Sequence, residues 1–321
     1  MALIEIKNLK TYFDTPSGTL HAVDDVTLSI EKGETLGVVG ESGCGKSTLG
    51  KTLIRMTEAT DGEVLYNGKN ILELSQKEFK PMRTKMQMIF QDPYSSLDPR
   101  MSVSALIAEP IKTYKLAKSK KELERMVFDL MDTVGLARRL AGVYPHELDG
   151  GRRQRIGIAR ALALSPEFIV CDEPVSALDV SIQAQILNLL MDLQRDKGLT
   201  YMFITHDMSV VKHISDKICV MYLGQVVEYC DGKELFKNTL HPYSQALLSA
   251  IPIPSLRNRK ERILLKGELT NPINPKKCCR FAKRCRFATE QCHAYEPELR
   301  EVVKGHYVRC FRAEELAGLN K

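Results

Sequence analysis

From Gly40 to Thr48 the chain reads Gly-Glu-Ser-Gly-Cys-Gly-Lys-Ser-Thr. A Gly-x4-Gly-Lys-Ser spacing suits the holding of a triphosphate, provided a strand precedes it and a helix follows. The backbone N–H groups of Ser42, Gly43, Cys44, Gly45, Lys46, Ser47 and Thr48 can wrap a β-phosphate and aim a helix N-terminus at it. Lys46 adds a mobile cation for the β- and γ-phosphates, and Ser47 a hydroxyl for Mg²⁺. Further on, Asp172 and Glu173 close the apolar run Phe168–Cys171. Asp172 is placed to hold the metal through its water shell, and Glu173 to act as general base on an attacking water. A third constellation is Cys279-x5-Cys285-x6-Cys292-x17-Cys310. Four thiolates are what a cubane iron–sulfur cluster or a structural zinc requires.

The elements around these residues have the right character. Thr35–Val39 is a short apolar run of strand formers, and Leu49, Leu53 and Met56 follow the phosphate loop at helical spacing. Residues 1–90 read mostly as strands and hairpins, with an Asn-Gly turn inside LYNGKNI. Helices are expected over Val103–Tyr114, over Ser119–Val134 with a Ser119-x-x-Glu122 capping box and Gly135 as its stop, and from Arg152 to Leu164. Strands return at Phe168–Cys171 and Tyr201–Thr205. Between them lies a helix with apolar Ile182, Ile186, Leu189, Leu190 and Leu193, stopped by Gly198. The order predicts an α/β core interrupted by an all-helical insertion at about residues 92–165.

Five motifs in fixed order then carry a resemblance: GESGCGKST at 40–48, FQDP at 90–93, LDGGRRQR at 148–155, FIVCDEP at 168–174 and FITHD at 203–207. Over roughly residues 3–230 the chain resembles the ATP-binding subunit of an ABC transporter. After residue 231, HPYSQALLSAIPIPS and the cysteine-rich segment resemble the extension of the dipeptide and oligopeptide (peptide/nickel) importer branch. The resemblance implies a P-loop NTPase fold, with a RecA-like subdomain, a β-subdomain and an inserted helical subdomain. It divides the chain into a nucleotide-binding domain, 1–231, and a small C-terminal metal-binding extension, 232–321, that carries the cysteine cluster. It gives Gln91 as a sensor of γ-phosphate and metal, His206 as a switch contacting the γ-phosphate, and Phe13 as the ring stacked on adenine, with Tyr12 as the alternative. Asp149, Gly150 and Gly151 belong to the signature loop lent to an opposing subunit, and Ser176–Asp179 match the D-loop at that interface.

The signature departs from the family's Leu-Ser-Gly-Gly-Gln. Here Asp149 replaces the serine that would bond a γ-phosphate and Arg152 replaces the glutamine. A carboxylate about 4 Å from a phosphate charge costs on the order of 4 kcal/mol at an effective dielectric of about 20. Pairing of Asp149 with Arg152 would offset part of this. The expectation is a heterodimer in which a sister ATPase supplies the better signature.

Nine cysteines are many for a chain with no signal-peptide pattern and no long apolar run, features that predict retention in the cytosol. Cys44, Cys171, Cys219 and Cys230 read as small core or loop residues, with Cys44 a candidate redox thiol by position alone. For the cluster, a [4Fe-4S] centre is the first expectation, with zinc and unligated thiols as alternatives and Cys278 as the spare. Lys276, Lys277, Arg280, Lys283, Arg284 and Arg286 would balance the thiolates. A net charge of +6 is modest, and the basic run lacks an aromatic platform beyond Phe281 and Phe287, so no nucleic-acid partner is expected. The resemblance implies two transmembrane permease subunits, an extracytoplasmic peptide-binding protein and a place on the cytoplasmic face of the membrane. A nickel importer of the same branch is the runner-up. A soluble ABC-type ATPase acting on ribosomes or DNA would carry two cassettes in one chain or a long coiled-coil insertion, patterns this sequence does not show, and an iron–sulfur regulator is the third reading.

Overall fold

The computed structural model describes residues 2–92, 94, 96–251, 262–265, 267 and 271–319. Pro93 of the FQDP motif, residues 252–255 of the His-Pro-Tyr segment and about half of the basic linker at 257–277 that leads to the cysteine cluster lie outside the described residues. In chain order the elements are β1 (Ala2–Thr15), β2 (Gly18–Glu31), β3 (Thr35–Val39), α1 (Lys46–Leu53), β4 (Asp61–Tyr66) and β5 (Lys69–Asn70). Next come α2 (Gln76–Phe79), α3 (Met82–Lys85), β6 (Met86–Ile89), α4 (Val103–Thr113), α5 (Lys120–Thr133), α6 (Gly150–Leu162), β7 (Phe168–Asp172) and α7 (Val180–Lys197). The chain continues with β8 (Thr200–Ile204), α8 (Met208–Ile214), β9 (Lys217–Tyr222), β10 (Gln225–Asp231), α9 (Gly232–Lys237) and α10 (Pro242–Ser249). It closes with α11 (Glu290–Ala294), β11 (Arg300–Val303), β12 (His306–Val308) and α12 (Ala313–Leu319). Two compact units divide it: Met1–Glu73 with Phe203–Lys321, and Leu74–Met202.

In the first unit β1, β2, β4 and β5 form an antiparallel sheet in the order β2-β1-β4-β5. Asn67 and Gly68, at φ 48° and 78°, make the tight turn between β4 and β5 that the Asn-Gly pair foretold. The phosphate-loop strand β3 runs parallel to β9, with Val39 opposite Val220, and β9 turns back through Leu223 and Gly224 into antiparallel β10. Past β10 the sheet does not end. β12 pairs antiparallel with β10, Tyr229 opposite Tyr307, and β11 pairs with β12. The C-terminal segment therefore covers a sheet edge that would otherwise stand open. Beneath lies a core of Val39, Val211, Ile218, Val220, Tyr222, Tyr243 and Phe281.

In the second unit β6 runs parallel to β7, Met86 opposite Phe168 and Ile89 opposite Cys171. α4 buries Val103, Leu106, Ile107 and Ile111 at helical spacing. α7 buries Ile186, Leu187, Leu190 and Leu193 and stops at Gly198, φ 64°. Three expectations shift. α1 ends at Leu53, leaving Met56 outside it and 55 % exposed. α6 opens at Gly150 rather than Arg152, because the Asp149 side chain caps it. Ser119 caps α5 by accepting from Glu122 N, but the Glu122 carboxylate accepts from Lys118 N, so the reciprocal box is absent. Among the described residues no helix is long and apolar enough to cross a membrane.

Candidate active site

The phosphate loop bends as it does because two glycines have no alternative. A Cβ on Gly45, φ 104°, would stand 1.9 Å from the carbonyl oxygen of Ala22, and one on Gly40, φ 153°, 2.2 Å from that of Met221. Gly45 is also the N-cap of α1 and offers no side chain to its first N–H groups. A helix N-terminus without a side-chain cap, with the helix dipole behind it, favours an anion. Lys46 is 5 % exposed, and its ammonium folds back onto the loop's carbonyls, 2.9 Å from Gly40 O and 3.0 Å from Glu41 O. Cys44 is buried against it, Sγ to Nζ 3.9 Å. Burial pushes the Cys44 thiol up despite the nearby Lys46 charge, so it is a protonated filler of the loop and not a reactive thiolate. Cys171, Cys219 and Cys230 are likewise buried with thiols raised by burial, as core cysteines should be.

In the same unit His206 follows β8. The residue before it, Thr205, donates its N–H to Val38 O at 3.1 Å, tying the His206 loop to the phosphate-loop strand. Of the two candidate aromatics, Tyr12 is engaged. Its hydroxyl donates to Asp24 at 2.5 Å and its ring stacks on His21 at 3.9 Å. Phe13 is 40 % exposed on β1.

The second unit brings Gln91 and Glu173 together, Gln91 Nε2 donating to Glu173 Oε2 at 3.1 Å. Glu173 adopts φ 46°, a left-handed conformation that costs a non-glycine residue energy and that accumulates at functional positions. Asp172, one residue back at the end of β7, is 4 % exposed. In the signature loop the Asp149 carboxylate accepts from Arg152 N at 2.8 Å and stands 3.1 Å from Arg152 Nη1. Aspartate caps a helix as well as serine does, so the substitution leaves the loop's backbone and Gly150–Gly151 in place. Asp149 and Gly151 line an open cleft of about 400 Å³ together with Arg139, Arg152 and Arg155.

Cys279, Cys285, Cys292 and Cys310 all line one cavity of about 20 Å³, alongside Phe281, Phe287 and Arg312. Burial pushes the Cys279 thiol to about 12 and the Cys310 thiol to about 11, and raises Cys285. The four are gathered but not closed: among the described residues no group of three His, Cys, Asp or Glu side chains is disposed to hold a metal ion. Four thiols and no carboxylate around one cavity are a donor set that fits a four-thiolate group.

Residues 23–176 match the family described as "ABC transporter", and residues 227–292 that described as "Oligopeptide/dipeptide transporter, C-terminal region". The putative oligopeptide transport ATP-binding protein YkfD of Bacillus subtilis is 53 % identical over 97 % of this chain and 95 % of its own length. The oligopeptide transport ATP-binding protein OppF of the same organism is 54 % identical over 97 % of both chains. This chain belongs to the ABC transporter ATPase family. Among solved structures, the ADP- and phosphate-bound dimeric ATP-binding cassette MJ0796 matches at TM-score 0.66 and 30 % identity, over 71 % of this chain and 98 % of that one. The α/β cassette fold expected from the motifs is therefore the fold observed.

For an ABC ATPase, the sequence left some contacts of the phosphate loop unread. Tyr243 Oη accepts from Glu41 N at 2.8 Å, and Arg284 grips the Glu41 carboxylate. Charge balance alone would place Arg280 and Arg284 on the thiolates, yet both bind carboxylates, Asp24 and Glu41, while Arg286 and Arg312 are the cations that act on Cys285. Their i, i+4 spacing inside a basic run was the only available signal.

Proposed function

We propose that this ABC ATPase powers the import of dipeptides or oligopeptides, binding and hydrolysing ATP on behalf of permease subunits. The observation that carries the ATPase half is the uncapped N-terminus of α1 beside the folded-back Lys46 ammonium. When triphosphate enters, Lys46 exchanges two carbonyls for β- and γ-oxygens. Ser47, Gln91 and Asp172 would hold Mg²⁺, which supplies charge neutralisation on the phosphates. Glu173, oriented by Gln91, polarises the attacking water, His206 contacts the γ-phosphate, and Phe13 stacks on adenine. The peptide half rests on near-full-length likeness to oligopeptide transport proteins and on the matched C-terminal region.

Within this reading, residues 1–231 are the cassette with its helical insertion near 92–165, and 232–321 the extension. The partners are a sister ATPase in a heterodimer, two permease subunits and an extracytoplasmic peptide-binding protein, which places the chain on the cytoplasmic face of the membrane. Cys279, Cys285, Cys292 and Cys310 would hold a [4Fe-4S] cluster, with zinc as the alternative, once their thiols are deprotonated by the metal. The test is uptake of labelled oligopeptide and of nickel into vesicles carrying the full transporter. ATP-dependent peptide uptake that requires this chain is expected; nickel uptake without peptide uptake would assign the runner-up cargo.

A further inference from the structure

Between Cys279 and Cys285, two arginines leave the cysteine cavity and reach into the cassette. Arg284 meets Glu41 with both arms of its guanidinium, Nη1 to Oε2 at 2.6 Å and Nη2 to Oε1 at 3.0 Å. Glu41 is the second residue of the phosphate loop. Its N–H donates to Tyr243 Oη and its carbonyl receives Lys46 Nζ, so this one residue touches both the extension and the phosphate-binding lysine. Arg284 also lies over the Tyr222 ring at 5.9 Å, and the Arg284 side chain is 10 % exposed. Arg280, four residues earlier, bonds the carbonyl of Leu223, in the turn between β9 and β10, and the carboxylate of Asp24. The next residue in that turn, Gly224, donates to Cys44 O at 2.9 Å and accepts from Asp24 N at 2.8 Å. Both guanidiniums therefore act on residues of the phosphate loop or of the turn that seats it.

The electrostatics give the contact a purpose. A carboxylate at the mouth of a triphosphate site repels the ligand and, unpaired, can also compete for the Lys46 ammonium. A forked guanidinium cancels that charge and fixes its direction, which a lysine does less well. We propose that Arg284, steadied by Arg280, is a positioning residue for nucleotide binding: the cysteine-rich segment braces the phosphate loop in cis by neutralising Glu41. The proposal rests on the reading of residues 40–48 as the triphosphate site. It also makes the extension part of the ATP machinery, since any group bound by Cys279 and Cys285 shares its backbone with the brace.

A plain structural tie between extension and cassette predicts something different, and binding of Mg²⁺-ATP carrying a fluorescent ribose label to the full chain separates the two. Arg284→Ala, which strands the Glu41 carboxylate, is expected to bind about tenfold more weakly, the factor produced by about 1.4 kcal/mol. Arg284→Lys should fall between. Adding Glu41→Gln to Arg284→Ala should bring affinity back to within about threefold of the parent, because the uncompensated charge is gone. Parental affinity in Arg284→Ala, or a double variant as weak as the single one, would overturn the brace. Lys46→Ala is the control: retention of parental nucleotide affinity there would sink the phosphate-loop reading itself.

Discussion

Asp149 offers the sharpest test of how this ATPase works with a partner. If the signature loop faces a γ-phosphate across a dimer, a homodimer places two extra carboxylates against two triphosphates. The bare estimate, a unit charge about 4 Å away at an effective dielectric of about 20, is on the order of 4 kcal/mol. The structure reduces it. The Asp149 side chain is 57 % exposed, stands 3.1 Å from Arg152 Nη1, and shares its cleft with Arg139 and Arg155. With water screening and that cationic wall, a residual penalty of about 1.4 kcal/mol is reasonable, and relief of it raises turnover about tenfold. Asp149→Ser with Arg152→Gln is the matching perturbation, because serine still caps α6 whereas Asp149→Ala would cost about 1 kcal/mol of helix stability. The assay is phosphate release from Mg²⁺-ATP by the purified chain alone, then with a sister subunit carrying an intact signature. The expected results are a slow parent, a faster double variant, and restored turnover in the mixed dimer. Vigorous hydrolysis by the unmodified chain alone, unaltered by the double substitution, refutes the asymmetric-site reasoning and leaves Asp149 as a helix cap only.

Glu173→Gln should keep its bond to Gln91, since an amide oxygen also accepts, while losing the basicity that polarises water; nucleotide binding is expected to persist with turnover nearly abolished and a nucleotide-bound dimer trapped, and ordinary hydrolysis with the partner present would remove Glu173 from the catalytic role. Protein purified without oxygen should be brown, with broad absorbance near roughly 400 nm from iron–sulfur charge transfer. Replacing Cys279, Cys285, Cys292 or Cys310 by Ser should bleach it and Cys278→Ser should not, whereas a colourless protein with one zinc per chain would exchange the metal and keep the site. His241 is fully buried and its imidazole is lowered by that burial to about 4, against an ordinary 6.5. Its folded form is neutral while the unfolded chain protonates below 6.5, so stability present above that pH is lost progressively down to about pH 4, by about 3 kcal/mol at about 1.4 kcal/mol per pH unit. Thermal denaturation between pH 7 and pH 4 should show this slope, flattened in His241→Asn, which can still cap α10; identical slopes would assign the acid sensitivity to other groups.

What was legible in the sequence was whatever depends on local spacing. The phosphate loop, its strand and helix, the acidic pair at the end of β7 and the histidine after β8 are each fixed by a run of fewer than about ten residues, and periodicity located the helices around them. Boundaries failed where a side chain, not a pattern, decides them. Asp149 starts α6 two residues early because its carboxylate replaces a missing backbone partner, and Glu122 satisfies Lys118 N instead of closing a box. The arginines failed for a different reason. Arg280 and Arg284 sit 256 and 243 residues from the carboxylates they bind, and no local spacing encodes that separation. Charge counting sent them to the nearest anions in sequence, the thiols, when the fold sends them to Asp24 and Glu41.

The same distance effect explains why residue 231 marks a change of sequence character yet not a seam in the first compact unit. Glu228 on β10 is completely buried, and a buried carboxylate is tolerable only when its oxygens are satisfied. Its partners all come from beyond 231: Leu240 N at 2.7 Å, His241 N at 3.2 Å and His306 Nε2 at 2.8 Å. β12, which carries His306, also pairs with β10 at Glu228 and Tyr229. Removing the extension would thus expose a strand edge and strand a charge in the sheet that also contains β3. The phosphate loop begins where β3 ends. The segment after residue 231 is therefore anchored on the sheet whose strand β3 leads into Lys46, and that sheet depends on residues that none of the five motifs includes.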